Sequence, residues 1–445
     1  MRLTLAEVLE ATGGELVAHP EAESLPDLTS FHTDSREVLA NGLFFALQGA
    51  QMDGHRFLED AAAHGASAAV VERPVEGTGL ALVLVEDSWK ALYALARWVL
   101  DKASPLVVGI TGSNGKTSTK EMVAAVLGTR LAVLKSEGNL NTETGLPLTV
   151  LRLEPGEHEA LVLEMGLQRA GDIARLTALA RPRVGIVTGI GSVHLEYFNG
   201  REELARAKGE LVAALPSDGA AVLNAEDDFF GLLAGMTPAR VVSFGLEGGD
   251  YHAESYRPDG NGSSFSVRGV NVRLRLGGRH QVKNALAALA AGELAGVPLR
   301  EGAAALAEVA VEHRLQPLPA AAGFVVIDDA YNASPESMLA AFETVSGWPR
   351  GGARLAVLGE MRELGELAEE AHRTVGRRAA EVFDEVCVVD VGLGRVMAEA
   401  AGAYLAPDKP SAVRWVRERA GEGSQVLVKA SHGVALDEVV AELTA

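Results

Sequence analysis

The chain has 445 residues, room for roughly two to four domains, and 48% hydrophobic against 22% charged residues is the balance of a water-soluble globular protein. A formal net charge of −20 excludes a general nucleic-acid binder or a polybasic membrane-surface protein, although local glycine loops can hold a phosphate on an acidic molecule. The single cysteine, Cys387, excludes an intrachain disulfide, and no uncharged apolar run approaches the roughly 18 residues of a membrane span.

The opening M-R-L-T-L-A-E-V-L-E carries acids and no apolar run, so it does not read as a secretory signal, and the cytoplasm is the expected location. Residues 1–84 read as a small α/β unit. Helical spacing covers Leu3–Thr12, strands are predicted at Leu43–Leu47, Ala68–Val71 and Leu80–Val85, and a helix at His55–His64. Two stretches, T33-D-S-R36 and Q51-M-D-G-H55, are rich in donors and acceptors. Taken alone, Asp34 and Arg36 read as a surface ion pair.

Asp87 or Ser88 caps a predicted helix that runs to about Asp101, and Ser104-Pro105 ends it. A buried strand follows at Leu106–Ile110, then a glycine turn, Gly112-Ser113-Asn114-Gly115, then Lys116, and a helix at Thr117–Leu127. Strand, glycine turn, Lys-Thr and helix make a phosphate-binding loop. The glycines let successive N–H groups point into one concavity, and the helix start adds its positive end. Lys116 can reach β- and γ-phosphates, and the Thr117 hydroxyl can ligate Mg²⁺. The strict pattern G-x-x-x-x-G-K-[ST] is not met, because Ile110 stands where its first glycine belongs.

Apolar strands then alternate with helices, at Leu131–Lys135, Ala160–Met165, Val184–Thr188, Ala220–Leu223 and Val241–Phe244. Such alternation predicts a mostly parallel sheet with ligands at its carboxyl ends. Asp250–Gly278 reads as a small antiparallel excursion and Gln281–Gly296 as an Ala/Leu-rich helix. Beyond Val311–Pro319 a second alternating set begins, with strands at Gly323–Asp328, Arg354–Leu358, Glu385–Val391 and Gln425–Lys429. The expected fold is α/β in three domains: a small N-terminal α/β domain (1–84), a central P-loop ATPase-like doubly wound, mostly parallel sheet (85–312), and a C-terminal Rossmann-like domain (313–445).

Three further stretches end predicted central strands. Glu164 of E164-M-G166 offers Mg²⁺ a hard oxygen ligand. The loop N139-L-N-T-E-T-G-L-P147 can cradle sugar or phosphate oxygens. G189-I-G-S-V-H194-L-E carries His194, which on its own would read as structural, as a lone histidine more often is.

Together these motifs resemble the Mur ligase family, which also includes folylpolyglutamate synthases. T111-G-S-N-G-K-T-S-T-K-E-M, G138-N-L-N-T-E-T-G-L-P, E-M-G and H-L-E occur in the family's order and spacing over nearly the whole chain. The resemblance implies ATP bound by Gly112, Ser113, Asn114, Gly115, Lys116, Thr117 and Ser118. It implies Glu164 and His194 as magnesium ligands and a carbamate on Lys208, in A205-R-A-K-G-E210, holding a second Mg²⁺. A neutral buried amine is the form that adds CO₂. In R279-H-Q-V-K-N284, Asn284 would contact adenine, while Gln281 stands where the family often has asparagine. Arg314 would approach the γ-phosphate, and Asp329, Tyr331 and Asn332 would lie near the nucleotide. Asp34, Ser35 and Arg36, with Asp53, Gly54 and His55 and the strand G42-L-F-F-A-L-Q-G49, match the domain that holds a uridine-diphosphate substrate. Asn139, Asn141 and Thr142 would face that substrate too.

Two stretches, D328-D-A-Y-N-A-S-P-E-S-M338 and L358-G-E-M-R-E-L-G365, resemble one branch of the family, which joins D-alanyl-D-alanine to UDP-N-acetylmuramoyl-tripeptide in peptidoglycan precursor synthesis. The implied enzyme is an ATP-dependent amide ligase, a monomer needing Mg²⁺ and acting on small molecules, whose C-terminal domain closes over the site about a hinge near 312. One departure is K429-A-S-H432, where the family has K-G-S-R. Rival readings are another branch that adds a single amino acid, a folylpolyglutamate synthase, or, from another class, an ATP-hydrolysing switch or binding protein.

Overall fold

The structure, a computed structural model, describes residues 1–18, 26–49, 52–259 and 262–445. Gln51 of the polar turn, and Gly260 and Asn261 inside Asp250–Gly278, lie outside the described residues. The chain forms two compact units: one comprises Met1–Gly109, Leu131–Leu167 and Asp172–Arg183, the other Ile110–Arg130, Gln168–Gly171 and Val184–Ala445. The strand Leu106–Thr111 spans the point where the chain first passes from one to the other.

In the first unit a five-stranded sheet runs in the order Glu15–Ala18, Ala81–Leu84, Ala66–Val71, Gly42–Phe45, Ser30–His32. It is parallel except for its Glu15–Ala18 edge. The central strands read as apolar runs because both faces are covered; Phe44, Ala69, Val71 and Leu82 pack with Leu58 and Ala61 of the helix Leu58–His64. That helix follows a 3₁₀ turn, Gly54–Phe57, so the helix predicted from His55 starts three residues later. The two outer strands, Glu15–Ala18 and Ser30–His32, had no signal in the sequence: they are short edges with no fully buried residue. Elsewhere in this unit Val133–Lys135 pairs parallel to Ala160–Glu164. The stretch read as a loop through Pro147 turns helical at Gly145–Val150, where Pro147 sits in the first turn and needs no N–H partner.

In the second unit Val184–Val187, Ala220–Asn224, Arg240–Gly245 and Tyr251–His252 pair in sequence order, all parallel. The excursion at Asp250–Gly278 is the antiparallel trio Glu254–Asp259, Gly262–Val267, Val270–Leu274. A six-stranded sheet follows in the order Gln316–Pro319, Val325–Asp328, Gln425–Lys429, Arg354–Leu358, Glu385–Val389, Tyr404–Ala406. Alternate residues of its strands serve two cores. Val326, Val357, Cys387 and Val428 face one with Trp415 and Val439. Ile327, Ala356, Leu358 and Leu427 face the other with Phe342 and Val375. A sheet buried on both faces by helices is the doubly wound arrangement expected. Gln316–Pro319 escaped prediction because of Pro317 and Pro319; prolines are tolerated there because the strand is an edge. No helix among the described residues is long and apolar enough to cross a membrane.

Candidate active site

Within the second unit the glycine turn is held from behind. Ser113 N–H donates to the Gly189 carbonyl at 2.9 Å, and the Thr188 hydroxyl donates to the Asn114 carbonyl at 2.6 Å. Gly112 has φ +146° and Gly115 +83°, and both sites are crowded. A Cβ on Gly112 would lie 1.9 Å from Thr188 Oγ1, and one on Gly115 2.6 Å from Asn284 Oδ1. The helix Lys116–Leu127 starts with Gly115 as its cap and no side-chain acceptor for its first N–H groups, which suits it to an anion. Gly115→Ala combines a left-handed backbone with that clash, a cost of about 1–3 kcal/mol. Titration calorimetry should show ADP binding weakened about tenfold or more.

Two lysines converge on one carbonyl at the foot of the loop. Lys116 Nζ donates to Gly112 O at 2.9 Å, and Lys208 Nζ, on the helix Arg201–Ala213, donates to the same oxygen at 3.1 Å. Lys208 is 1% exposed. Burial first, and the nearby Lys116 charge second, push its amine well below the usual lysine range. Both effects favour the neutral amine, which is the form able to take up CO₂.

The loop opens into a cavity of about 400 Å³ that also bears Asn284, Gln281 and His280 of the helix Arg279–Leu294, together with Arg314, Asp329, Glu336 and Lys429. Gln281 Oε1 accepts from Asn284 Nδ2 at 3.0 Å, so the residue at the departure from the family pattern orients the proposed adenine contact. His280 is pushed down to about 4 by burial and by the charges of Lys429, Lys283 and Arg314, and stays neutral. The Arg314 guanidinium lies 4.3 Å over the Tyr331 ring, whose centroid is 5.8 Å from that of His432. Lys429 Nζ lies 2.7 Å from Asp329 Oδ2 and donates to the Asn332 carbonyl at 2.9 Å. Burial raises the Asp329 carboxyl and lowers the Lys429 amine from their usual ranges. In the divergent K429-A-S-H432 stretch, then, Lys429 reaches the cavity, His432 packs on Tyr331, and the Ser431 hydroxyl accepts from Arg362 N–H at 2.9 Å.

The buried hydroxyls of Ser113 and Ser192 have no partner among the described residues, and Ser113 is on the cavity wall. Such donors fit a polyphosphate. For Mg²⁺ no group of three or more His, Cys, Asp or Glu side chains stands ready among the described residues. Donors of other kinds are present: the Thr117 hydroxyl is on the cavity wall, while His194 and Lys208 are not among the residues that line it. His194 has φ +70°, and its Nδ1 lies 2.5 Å from Glu363 Oε2. His194 in turn holds the Glu363 carboxyl below its usual range.

Other predicted residues belong to the first unit. Asp34 caps the 3₁₀ turn Ser35–Glu37 and is pulled down to about 2 by Arg36, whose Nε donates to it at 2.9 Å; Ser35 is buried beneath. Asp53 accepts from His55 N–H at 3.0 Å and meets Arg73 at 2.5 Å, which holds its carboxyl far below normal. His55 is buried, with Nδ1 2.7 Å from Asp53 and Nε2 accepting from Glu72 N–H at 2.9 Å. With both nitrogens occupied, His55 shapes the turn. Gly54 is required there, since a Cβ would come within 2.7 Å of the Ala46 and Leu47 backbone. At the end of Ala160–Glu164, Asn141 Nδ2 donates to Glu164 Oε1 at 2.9 Å. The Asn139 carbonyl accepts from Asn141 N–H at 2.7 Å, and the Thr142 and Thr144 hydroxyls share a hydrogen bond of 3.2 Å. Thr188 and Asp227 were missed because neither carries a motif of its own, while His280, Glu336 and Glu363 lie inside stretches already singled out and were given no role there; Lys429 carried a signal in its strand position but stood beside divergent neighbours.

A strand-to-helix glycine loop opening on a nucleotide-sized cavity, in a parallel α/β sheet protein, defines a nucleotide-dependent enzyme of the phosphate-loop class. The Mur ligase middle domain matches residues 110–292, the Mur ligase glutamate ligase domain 313–432, and the Mur ligase family catalytic domain 28–99. The chain is 35% identical over 460 residues to the UDP-N-acetylmuramoyl-tripeptide–D-alanyl-D-alanine ligase of Bacillus subtilis, covering 100% of this chain and 98% of the relative. It is 35% identical to that of Escherichia coli, covering 99% and 98%. Among solved structures it resembles MurF from Acinetobacter baumannii (29% identity, TM-score 0.90, 100% and 99% covered) and the MurF ligase of Thermotoga maritima in complex with ADP (32%, 0.83, 94% and 97%). The chain belongs to the Mur ligase family.

Proposed function

We propose that this chain is an ATP-dependent ligase that joins D-alanyl-D-alanine to UDP-N-acetylmuramoyl-tripeptide in peptidoglycan precursor synthesis. The observation that carries the ligase chemistry is the pair Lys116 and Lys208 on one carbonyl beneath the phosphate loop. Full-length similarity to the B. subtilis and E. coli ligases supports the choice of acceptor and amine.

The terminal carboxylate of the tripeptide attacks the γ-phosphorus, the bond to ADP breaks, and an acyl phosphate forms. The dipeptide amine attacks the acyl carbon, the tetrahedral intermediate collapses, and phosphate leaves while the amine loses its proton. Lys116 and Arg314 stabilise charge on the transferring oxygens. Mg²⁺, when bound, supplies further charge neutralisation; its proposed ligands are Thr117, His194 and carbamylated Lys208, with Glu164 retained on the ground of its E-M-G context. Asn284, Asp329, Tyr331 and Asn332 are assigned to the nucleotide. Asp34, Ser35, Arg36, Asp53, Gly54, Asn139, Asn141 and Thr142 are assigned to the uridine-nucleotide substrate, and His55, with both ring nitrogens engaged, to the turn that would present it.

The reading keeps the domain division 1–84, 85–312 and 313–445: the five- and six-stranded sheets lie within its first and third parts and one family match begins at 313, while another, over 28–99, runs past residue 84. The reading includes action in the cytoplasm as a monomer. The test is phosphate release from Mg·ATP with the UDP-tripeptide, with D-Ala-D-Ala added or withheld. Release requiring both, with the pentapeptide found by mass spectrometry, is the expected result. Dependence on the tripeptide but not the dipeptide would move the chain to another branch, and dependence on neither would overturn the ligase reading.

A further inference from the structure

The loop Gly189–His194 is anchored along its length. Ile190 N–H donates to Asp227 Oδ2 at 2.7 Å, Arg201 donates to the Ile190 carbonyl at 2.8 Å, and Ser192 N–H donates to Glu336 Oε1 at 2.9 Å. These bonds place the backbone before His194 but not its ring. The carboxylate that meets the ring is Glu363, whose Oε2 lies 2.5 Å from Nδ1 as an ion-pair contact without the alignment of a hydrogen bond. Glu363 reaches it from a left-handed backbone, φ +63°, which a glutamate adopts only under constraint. The constraint is a pair of interlocked turns. Gly365, φ +55°, lies where a Cβ would come 3.2 Å from Glu196 Cα, so the turn E363-L-G365 rests directly on the turn H194-L-E196.

We propose that Glu363 is a positioning residue for the metal-ligand face of His194. By taking Nδ1 it fixes the ring's orientation and leaves Nε2 to face a divalent cation. A carboxylate behind a ligating histidine sets both tautomer and aim, and its loss typically weakens metal binding 10- to 100-fold. This rests on the reading of His194 as a magnesium ligand. It also gives the E-M-R-E-L-G stretch a physical role: its glutamate orients the histidine while its glycine permits the close approach.

The test titrates Mn²⁺ into the full chain with ADP present and reads free Mn²⁺ by electron paramagnetic resonance. Glu363→Ala is expected to raise the Mn²⁺ dissociation constant about tenfold. His194→Ala is expected to raise it as well, and the double variant to match His194→Ala alone, because a positioning residue has nothing to position once the ring is gone. An additive double variant would overturn the proposal, making Glu363 a ligand in its own right or a general structural support. Unchanged affinity in Glu363→Ala beside weakened affinity in His194→Ala would overturn the positioning role and leave the ligand reading standing. Unchanged affinity in both would overturn the two together. Should Glu363→Ala fold poorly, Glu363→Leu keeps the bulk without an acceptor and is read in the same way.

Discussion

Replacing Lys116 by alanine is expected to lower ligation and ATP-dependent phosphate release by roughly 10³-fold, the scale of losing a charge aimed at a developing oxyanion. The thermal midpoint should hardly move. The lysine is half-buried, and its bonds to the Gly112 and Ser113 carbonyls at 2.9 and 3.4 Å are ones that water can replace. The two effects can be separated by pairing a coupled phosphate assay with a circular-dichroism melt. Activity within a few-fold of the parent would remove Lys116 from the chemistry. A collapse of the melt would assign it to the fold instead. Affinity for ADP should fall far less than turnover, because the transferring phosphoryl group is what the ammonium faces as charge builds.

Lys208→Met should abolish activity and stabilise the protein at the same time. The ligase reading needs the nitrogen at that position, to carry a carbamate, whereas folding does not. Burial lowers the Lys208 amine well below its usual range. Between that lowered value and the ordinary one near 10.5 the unfolded chain carries a proton that the folded chain lacks. Stability must then rise with pH across that window and fall as pH drops through it. Methionine has nearly the same length, keeps the packing and removes the proton difference. In CO₂-free buffer the Met variant should therefore melt above the parent, with the gap wider at neutral pH than where pH approaches the ordinary lysine value near 10.5. Turnover should drop at least about 100-fold, the scale of a lost electrostatic contributor. A Met variant that melts lower at both values would show that the amine-to-Gly112 bond outweighs the burial cost. Retained turnover would dismiss the carbamate.

Lys116 and Lys208 differ in how far they could be read in advance. Lys116 sits four residues from Gly112, inside a motif whose glycines, helix start and lysine are set by local backbone geometry. Lys208 lies on a helix with charged neighbours Arg206 and Glu210, and its spacing alone describes a solvated side chain. Only the packing of that helix beneath the loop buries it and pushes its amine well below the usual lysine range. The same contrast runs through the sheets. Interior strands such as Val325–Asp328 and Gln425–Lys429 announce themselves as apolar runs, since both their faces are covered. Edges such as Gln316–Pro319 and Tyr404–Ala406 carry no such pattern, because neighbours are present on one side only.

The sequence by itself determined the α/β alternation, the phosphate loop with its Lys-Thr, and the order of motifs that mark the family. Each of these depends on residues a few positions apart, where periodicity, glycine and helix-start chemistry act locally. Tertiary structure alone decided that Lys429 would pair with buried Asp329 and that Glu363 would meet His194. Those partnerships join segments brought together by parallel strands and their crossovers, and no short-range pattern encodes which loop will lie against which. The burial that lowers the Lys208 amine and keeps His280 neutral has the same origin: it is a property of the assembled surroundings, not of the residue.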